Sequence, residues 1–157
     1  MSASGGFWQF SLEFYARRGV EAACLQLQDE AGADVDLLLF LLFCARHGRA
    51  LSSAEVTSLD RLVADWRAEV VRPLRAVRRR LKTGFPGVAA EALRGEVKRL
   101  ELEAERLQQE HMEKAAPPAS LGEAGAPALA ARNNLEVYRV YLGRLPAGPV
   151  EALIAAF

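Results

Sequence analysis

The densest charge in this chain lies between Trp66 and Lys82, where seven basic residues stand against one acid, Glu69, in a protein of net charge zero. Wound as a helix, the stretch places four bases on one face at i, i+3, i+7 and i+10 spacing. Guanidinium groups bind phosphates and carboxylates through two donors at once. The candidate residues for an anion or an acidic partner are Arg72, Arg75, Arg78, Arg79, Arg80 and Lys82. The alternative is a solvated face that acids elsewhere in the fold partly neutralise.

A second set of chemically capable residues is acidic and surrounds a glycine turn at Gly32. It consists of Asp29, Glu30, Asp34 and Asp36. Oxygen-rich clusters can hold Mg²⁺ or Ca²⁺, but these acids follow no EF-hand order and no second acidic motif completes a clamp. We therefore interpret the set as structural and expect no metal. Asp34 and Asp36 would stabilise the start of a helix, and Asp29 or Glu30 would pair with the basic stretch.

The sequence contains no readable catalytic motif. His47 and His111 have no partner at metal-ligand spacing, and no Ser/His/Asp or Cys/His arrangement is present. Cys24 and Cys44 fall in apolar helical stripes, whereas a nucleophilic cysteine needs an exposed, electropositive setting. We predict no catalytic residue and no cofactor, and leave enzymatic activity open, with Asp29 or Asp34 as the only plausible acid or base.

Aromatic residues cluster at the start of the chain: Phe7, Trp8, Phe10, Phe14 and Tyr15. Large apolar side chains are mostly buried, so the first interpretation is that they form core. The alternative is that they line a pocket or a partner surface.

The elements that position these residues read as helices almost throughout. Residues 37–45 are apolar on all sides, which is typical of a helix surrounded by others and too short to cross a membrane. Ser52 and Glu55 have capping-box spacing. Pro73 predicts a kink or a break, because it cannot donate to the residue 69 carbonyl and disfavours α conformation at Arg72. The expected fold is all-α, one compact helical bundle of six to seven helices.

A long charged helix is predicted from Val88 to Lys114. Its apolar stripe would contain Val97, Leu100, Ala104 and Leu107, and this helix is also a candidate surface for self-association. An Ala-, Pro- and Gly-rich segment, residues 115–127, reads as a flexible linker before two C-terminal helices. The domain prediction is a single helical domain over residues 1–157.

Composition limits the partners and the location. Twenty bases balance twenty acids, which argues against general attraction to nucleic acid or membrane. Met1–Gly6 shows no secretion signal, and two cysteines without motif spacing favour a reducing compartment. We expect a cytoplasmic protein without a membrane span.

Three groups of residues carry a resemblance to a known family: Phe7 to Ser11, Cys24 to Asp29 with Gly32 to Leu39, and Trp66-Arg67 with Val70 to Arg75. Together they resemble a proteobacterial family of small proteins classed as a domain of unknown function. The resemblance covers most of residues 7–115 and implies a bacterial cytoplasmic protein with no assigned activity. It also implies Asn more often than Asp at position 36.

Two functional hypotheses follow. The first is a non-enzymatic binding or adaptor protein that uses the basic face, the outer part of the Val88–Lys114 helix, or both, for an acidic partner. The second is a small-molecule site between helices, in which Arg72 and Arg75 hold an anionic ligand and aromatic residues cover its apolar part. A cryptic enzyme would be a special case of the second. The second hypothesis requires Arg72 and Arg75 to converge with Asp34 or Trp66 in a concavity.

Overall fold

Eight α-helices and two very short strands make up the computed structural model, which describes residues 6–157. Most of the Met1–Gly6 segment, for which no secretion signal is expected, lies outside the described residues. The helices are α1 (Gly6–Tyr15), α2 (Val20–Ala31), α3 (Val35–Arg46), α4 (Ser53–Trp66), α5 (Arg72–Lys82), α6 (Glu91–Ala115), α7 (Pro127–Leu142) and α8 (Ala147–Ala156). The strands are β1 (Arg49–Ala50) and β2 (Glu123–Ala124). The predicted all-α bundle is confirmed.

Helix starts follow the capping signals in the sequence. The Asp34 side chain accepts hydrogen bonds from the backbone N–H of Asp36 (2.9 Å) and of Leu37 (3.4 Å), which caps α3. Ser52 and Glu55 form the predicted reciprocal capping box at the start of α4. These bonds satisfy N–H groups that have no partner within the helix.

Helix α3 lies at the centre of the molecule. Every residue from Asp36 to Ala45 is buried, and α1, α2, α6 and α7 all pack on it. Phe7 from α1 meets Phe40 edge-on, with ring centroids 5.0 Å apart, and stacks on Phe43 at 5.2 Å. An apolar run of this length folds as the shared core of the other helices because it has no polar face to present to water.

Helix α7 fastens the C-terminal part of the chain to this core. Asn134, which is fully buried, accepts from the Leu51 N–H (2.8 Å) and donates to the carbonyls of Leu41 (2.9 Å) and Arg49 (3.0 Å). One amide therefore joins α7, α3 and β1. Leu153 of α8 belongs to the same apolar core.

The segment 115–127 has more local order than its composition suggests. It contains a 3₁₀ turn, Pro118–Ser120, and strand β2, which pairs antiparallel with β1. The Gly122 N–H also donates to Oε2 of Glu55 at 2.8 Å, so the capping carboxylate of α4 holds this segment too. Its flexibility remains a prediction.

The predicted interruption before Pro73 is a change of helical register. Residues Arg67–Val71 form a π-helical turn between α4 and α5, and the Arg72 N–H bonds to the Arg67 carbonyl. The expectation that Arg72 leaves the α region was wrong, since its φ and ψ are −62° and −43°. The wider turn places Pro73 in the first turn of α5, where a missing N–H is tolerated. If α4, the π-helical turn and α5 are counted as one continuous helix, the described residues contain seven helices.

Helix α6 begins at Glu91, three residues later than predicted, and its apolar stripe is split. Val97 and Ala104 are buried, but Leu100 and Leu107 are exposed. The buried face continues instead through polar residues, namely Glu101, Gln108 and Gln109. The predicted stripe was therefore half wrong, because this helix covers polar groups at the start of α3 as well as apolar core.

Candidate functional site

A cleft of about 840 Å³ opens where the start of α3 meets α1, α2, α5 and α6. Its lining includes Arg72 and Arg75 together with Asp34, the convergence that the small-molecule hypothesis required. Trp66 is not among the lining residues; its Nε1 donates instead to the Ala104 carbonyl at 2.9 Å. The cleft has the size of a typical ligand site, about 300–1,000 Å³.

Arg67, in the π-helical turn, lines the cleft and forms two ion pairs. One guanidinium nitrogen lies 2.7 Å from Asp34 Oδ2 and 2.9 Å from Asp60 Oδ1. Burial alone would lower the pKa of Arg67, but the hydrogen bonds and charges of the two aspartates outweigh it and raise the pKa. Asp34 therefore caps α3 and ties α3 to the π-helical turn.

Two of the predicted site arginines are paired within the protein. Arg75 Nε lies 3.1 Å from Glu101 Oε2 and its NH2 lies 3.1 Å from Glu105 Oε1, while Arg78 binds Glu101. Burial raises the pKa of Glu101, but bonds from Arg78 and Arg75 outweigh it, and the pKa is lowered. These arginines join α5 to α6 and do not form a free basic face.

The remaining predicted residues are exposed and loosely held. Arg79 lies 4.0 Å from Asp29, and Glu30 lies 3.7 Å from Arg144. Arg80 donates to Thr83 and to the Gly84 carbonyl and lies over the Phe85 ring. Arg72 forms no ion pair with an acid in residues 6–157, and neither does Lys82, which lies outside the cleft. Arg72 therefore lines the cleft with a guanidinium group that has no ion pair among these residues.

Asp36 differs from the other acids because it is buried without a cation. Only 7 % of it is exposed, and its Oδ1 accepts a hydrogen bond from Gln109 Nε2 at 2.9 Å. Gln109 Oε1 in turn accepts from Ser11 Oγ at 2.8 Å. Burial, followed by the charges of Asp34 and Glu105, raises the pKa of Asp36 well above its ordinary range. The predicted first-turn position of Asp36 in α3 is confirmed, but the sequence did not indicate that this carboxyl group is buried.

The aromatic start of the chain divides between the two roles considered for it. Phe7, Phe10 and Phe14 are buried in the core, whereas Trp8 and Tyr15 are half-buried and line the cleft. Burial raises the pKa of Tyr15 to about 12, so its hydroxyl is protonated at neutral pH. The aromatic pair supplies an apolar wall opposite the arginines.

Other candidate chemistry lies away from the cleft. Cys24 and Cys44 are free and buried, and burial raises the pKa of each thiol to about 12. Within residues 6–157, no three side chains among His, Cys, Asp and Glu are arranged to hold a metal ion. Across the same residues, no helix is both long and apolar enough to cross a membrane.

Sequence reasoning did not identify the residues of α6 that line the cleft. They are Lys98, Glu101, Leu102, Glu105, Gln108 and Gln109. A signal was available, because positions 101, 105, 108 and 109 follow i, i+4, i+7, i+8 spacing and share one helix face. Arg67 was also missed as a site residue, since its position in the basic stretch did not indicate which acids it would meet.

No curated protein matches the chain, and no solved structure does so. A family model described as "Protein of unknown function (DUF2390)" matches residues 6–112. All residues that line the cleft, from Trp8 to Gln109, lie inside this matched region, whereas α7 and α8 lie outside it. The match covers more than half of the chain and agrees with the resemblance seen in the sequence, so the protein belongs to the DUF2390 family.

Proposed function

We propose that this protein binds a small organic molecule with an anionic group in the cleft between α1, α2, α5 and α6. The observation that carries the proposal is that Arg72, a guanidinium without an acidic partner in the described chain, lies in one concavity with Trp8 and Tyr15. A site of this kind holds an anion through two donors and covers an apolar body with aromatic rings.

The charge pattern of the basic stretch supports this assignment over a basic adaptor face. Three guanidinium groups of this stretch already form ion pairs with acids of the same chain, namely those of Arg67, Arg75 and Arg78. A partner that bound these residues would have to replace existing ion pairs, and the net gain in binding free energy would be small. The location we propose is the bacterial cytoplasm, which the two buried free thiols support.

The test compares Arg72→Gln with Lys82→Gln. Both bases are exposed and lie on α5, but only Arg72 lines the cleft. Ligands released from the protein purified from its native cytoplasm, and a panel of aromatic and aliphatic carboxylates and phosphates, are measured by native mass spectrometry and calorimetry. We expect Arg72→Gln to weaken binding about tenfold or more and Lys82→Gln to leave it unchanged. Equal weakening by both variants, or no ligand for the wild type, contradicts the proposal.

A second candidate function is protein binding through the outer face of α6. Three leucines spaced seven residues apart, Leu93, Leu100 and Leu107, are 57 %, 45 % and 41 % exposed. An exposed apolar row of this kind is typical of a surface on which a helix of another molecule packs. Analytical ultracentrifugation and pull-down with Leu100→Glu test it, with Leu129→Glu on α7, where the leucine is 71 % exposed, as the control. If Leu100→Glu changes neither mass nor partners, the candidate is rejected.

A further inference from the structure

Near the start of α3, one buried hydrogen-bond acceptor lacks a donor and one buried carboxyl group lacks a cation among the described residues. Gln108 is 2 % exposed, and its Nε2 donates to Asp34 Oδ2 at 3.0 Å. Its Oε1 is buried without a donor among the described residues. Asp36 has one side-chain donor, Gln109, and no cation. Buried acceptors are nearly always paired in folded proteins, so each unpaired one calls for an explanation.

More negative than positive charge acts on Asp36. Asp34 faces it from the start of α3 and Glu105 faces it from α6, and both raise its pKa. The cation whose charge acts on it, Arg75 of α5, is already bonded to Glu101 and Glu105. From α1, Ser11 reaches Asp36 only through Gln109. A carboxyl group in this setting favours a partner that brings both protons to donate and a positive charge.

We infer that the ligand of the cleft is a zwitterion, whose amino group binds between Asp36 and Gln108 and whose acidic group binds Arg72. This inference rests on the proposed function and names its ligand class. An ammonium group carries three donors and one positive charge, so one group satisfies Gln108 Oε1 and neutralises Asp36. The apolar part of the ligand lies against Trp8 and Tyr15.

Other ligand classes fit this end of the cleft less well. A hydroxyl group or a water satisfies Gln108 Oε1 but leaves the Asp36 carboxyl without a cation. A simple carboxylate pointing inward adds a negative charge to a region that already holds Asp34, Asp36 and Glu105. An amino acid in the broad sense, with its amino and acid groups separated along an apolar body, meets both ends of the site.

The experiment compares ligands that differ only in the amino group. Amino acids in which an apolar chain separates the two groups, the ω-amino fatty acids of increasing length, are paired with the fatty acids of the same length. Calorimetry on the wild type is expected to show about tenfold to a hundredfold tighter binding of the amino member at the best-fitting length. A bound ammonium group opposes the rise in the pKa of Asp36, so any proton that this carboxyl retains in the free protein leaves on binding, and calorimetry in buffers of different ionisation enthalpy measures this proton release.

Variants assign the effect to Asp36. Asp36→Asn is expected to lose the preference and the proton release while still binding the deaminated acids. Asp29→Asn, an exposed acid at the same cleft, is expected to keep both. Equal binding of paired ligands to the wild type, or a preference that survives in folded Asp36→Asn, overturns the zwitterion inference but leaves the proposed function in place. No binding of either member overturns both.

Discussion

Asp36→Asn is expected to stabilise the free protein at neutral pH. The substitution keeps the size of the side chain, and its Oδ1 can still accept the hydrogen bond from Gln109 Nε2. It removes an ionisable group whose charged form is disfavoured by burial and by the neighbouring charges of Asp34 and Glu105. Most core substitutions destabilise a protein, so a gain here would be a specific consequence of the electrostatics around this carboxyl.

The magnitude follows from the cost of an unsatisfied charged group. Leaving a buried polar group without its partner costs about 1–3 kcal/mol, and we expect Asp36→Asn to recover about that amount. The folded pKa of Asp36 lies above its unfolded value of about 3.9, so the folded state holds its proton longer than the unfolded state. The stability of the wild type therefore falls as pH rises through the interval between the two pKa values. The advantage of Asp36→Asn should be near zero at about pH 4 and grow above it.

Urea denaturation, followed by the fluorescence of Trp8 and Trp66 over a pH series, measures this difference. Asp34→Asn is the matched control, because Asp34 lies two residues away but is bonded to Arg67 at 2.7 Å and to Gln108 at 3.0 Å. Losing these charged hydrogen bonds should cost about 1.5–3 kcal/mol, the opposite sign. A loss of stability in Asp36→Asn at pH 7, or a gain that does not change with pH, would refute the reasoning.

Three further substitutions test the contacts that hold the fold and the cleft. Glu101→Gln should lower the free energy of unfolding by about 1.5–3 kcal/mol at neutral pH, as measured by urea denaturation. The loss should be smaller in acid, because the pKa of Glu101 is lower in the folded protein than in the unfolded chain. Its stabilising ion pairs are therefore lost as pH falls from about 4.3, the unfolded pKa, through the folded pKa. Asn134→Ala should cost about 2–4 kcal/mol, since it removes the acceptor of the Leu51 N–H and the donor to the Leu41 and Arg49 carbonyls. A loss below that of the exposed Asn133→Ala would contradict the central role of this amide. Gly122→Ala should lower the melting temperature measured by calorimetry, because the new Cβ overlaps the Ala50 carbonyl oxygen and because the φ of +61° at this position strains a side chain. Gly125→Ala, whose Cβ would meet no atom within 4 Å, should leave the melting temperature unchanged.

If both the stability result and the zwitterion inference hold, Asp36 trades stability for binding. In this chain, a bound ammonium group that neutralises the carboxyl would account for a buried acid that weakens the free protein. Such conflicts between local stability and function are expected at binding sites. The two measurements are independent, because one uses the free protein and the other compares ligands.

The helical fold was largely readable from local signals. The apolar run of α3, the aspartate before it and the capping box at Ser52 each depend on residues close together in the chain, and each formed as predicted. Helix α6 shows the limit of such reasoning. The spacing of its apolar residues predicted one buried stripe, but Leu100 and Leu107 are exposed because the helix rotates its polar residues toward the start of α3.

The residues of the candidate site were only partly predictable. The sequence alone identified the basic stretch, the acids around Gly32 and the aromatic start, and it required Arg72 and Arg75 to meet Asp34 in a concavity if a ligand site existed. It could not assign Arg67 to Asp34, or Arg75 to Glu101, because those partners are 33 and 26 residues apart in the chain.

The sequence by itself thus determined the class of fold, the capped helix boundaries and the charges available to a site. The tertiary structure alone decided which charges cancel one another and which remain. Arg75 and Arg78 are neutralised by α6, Arg72 is not, and Asp36 is buried without a cation. The physical reason is that helix formation depends on neighbours three or four residues away, whereas the energy of a charge depends on its burial and on atoms within a few ångströms, wherever they lie in the chain.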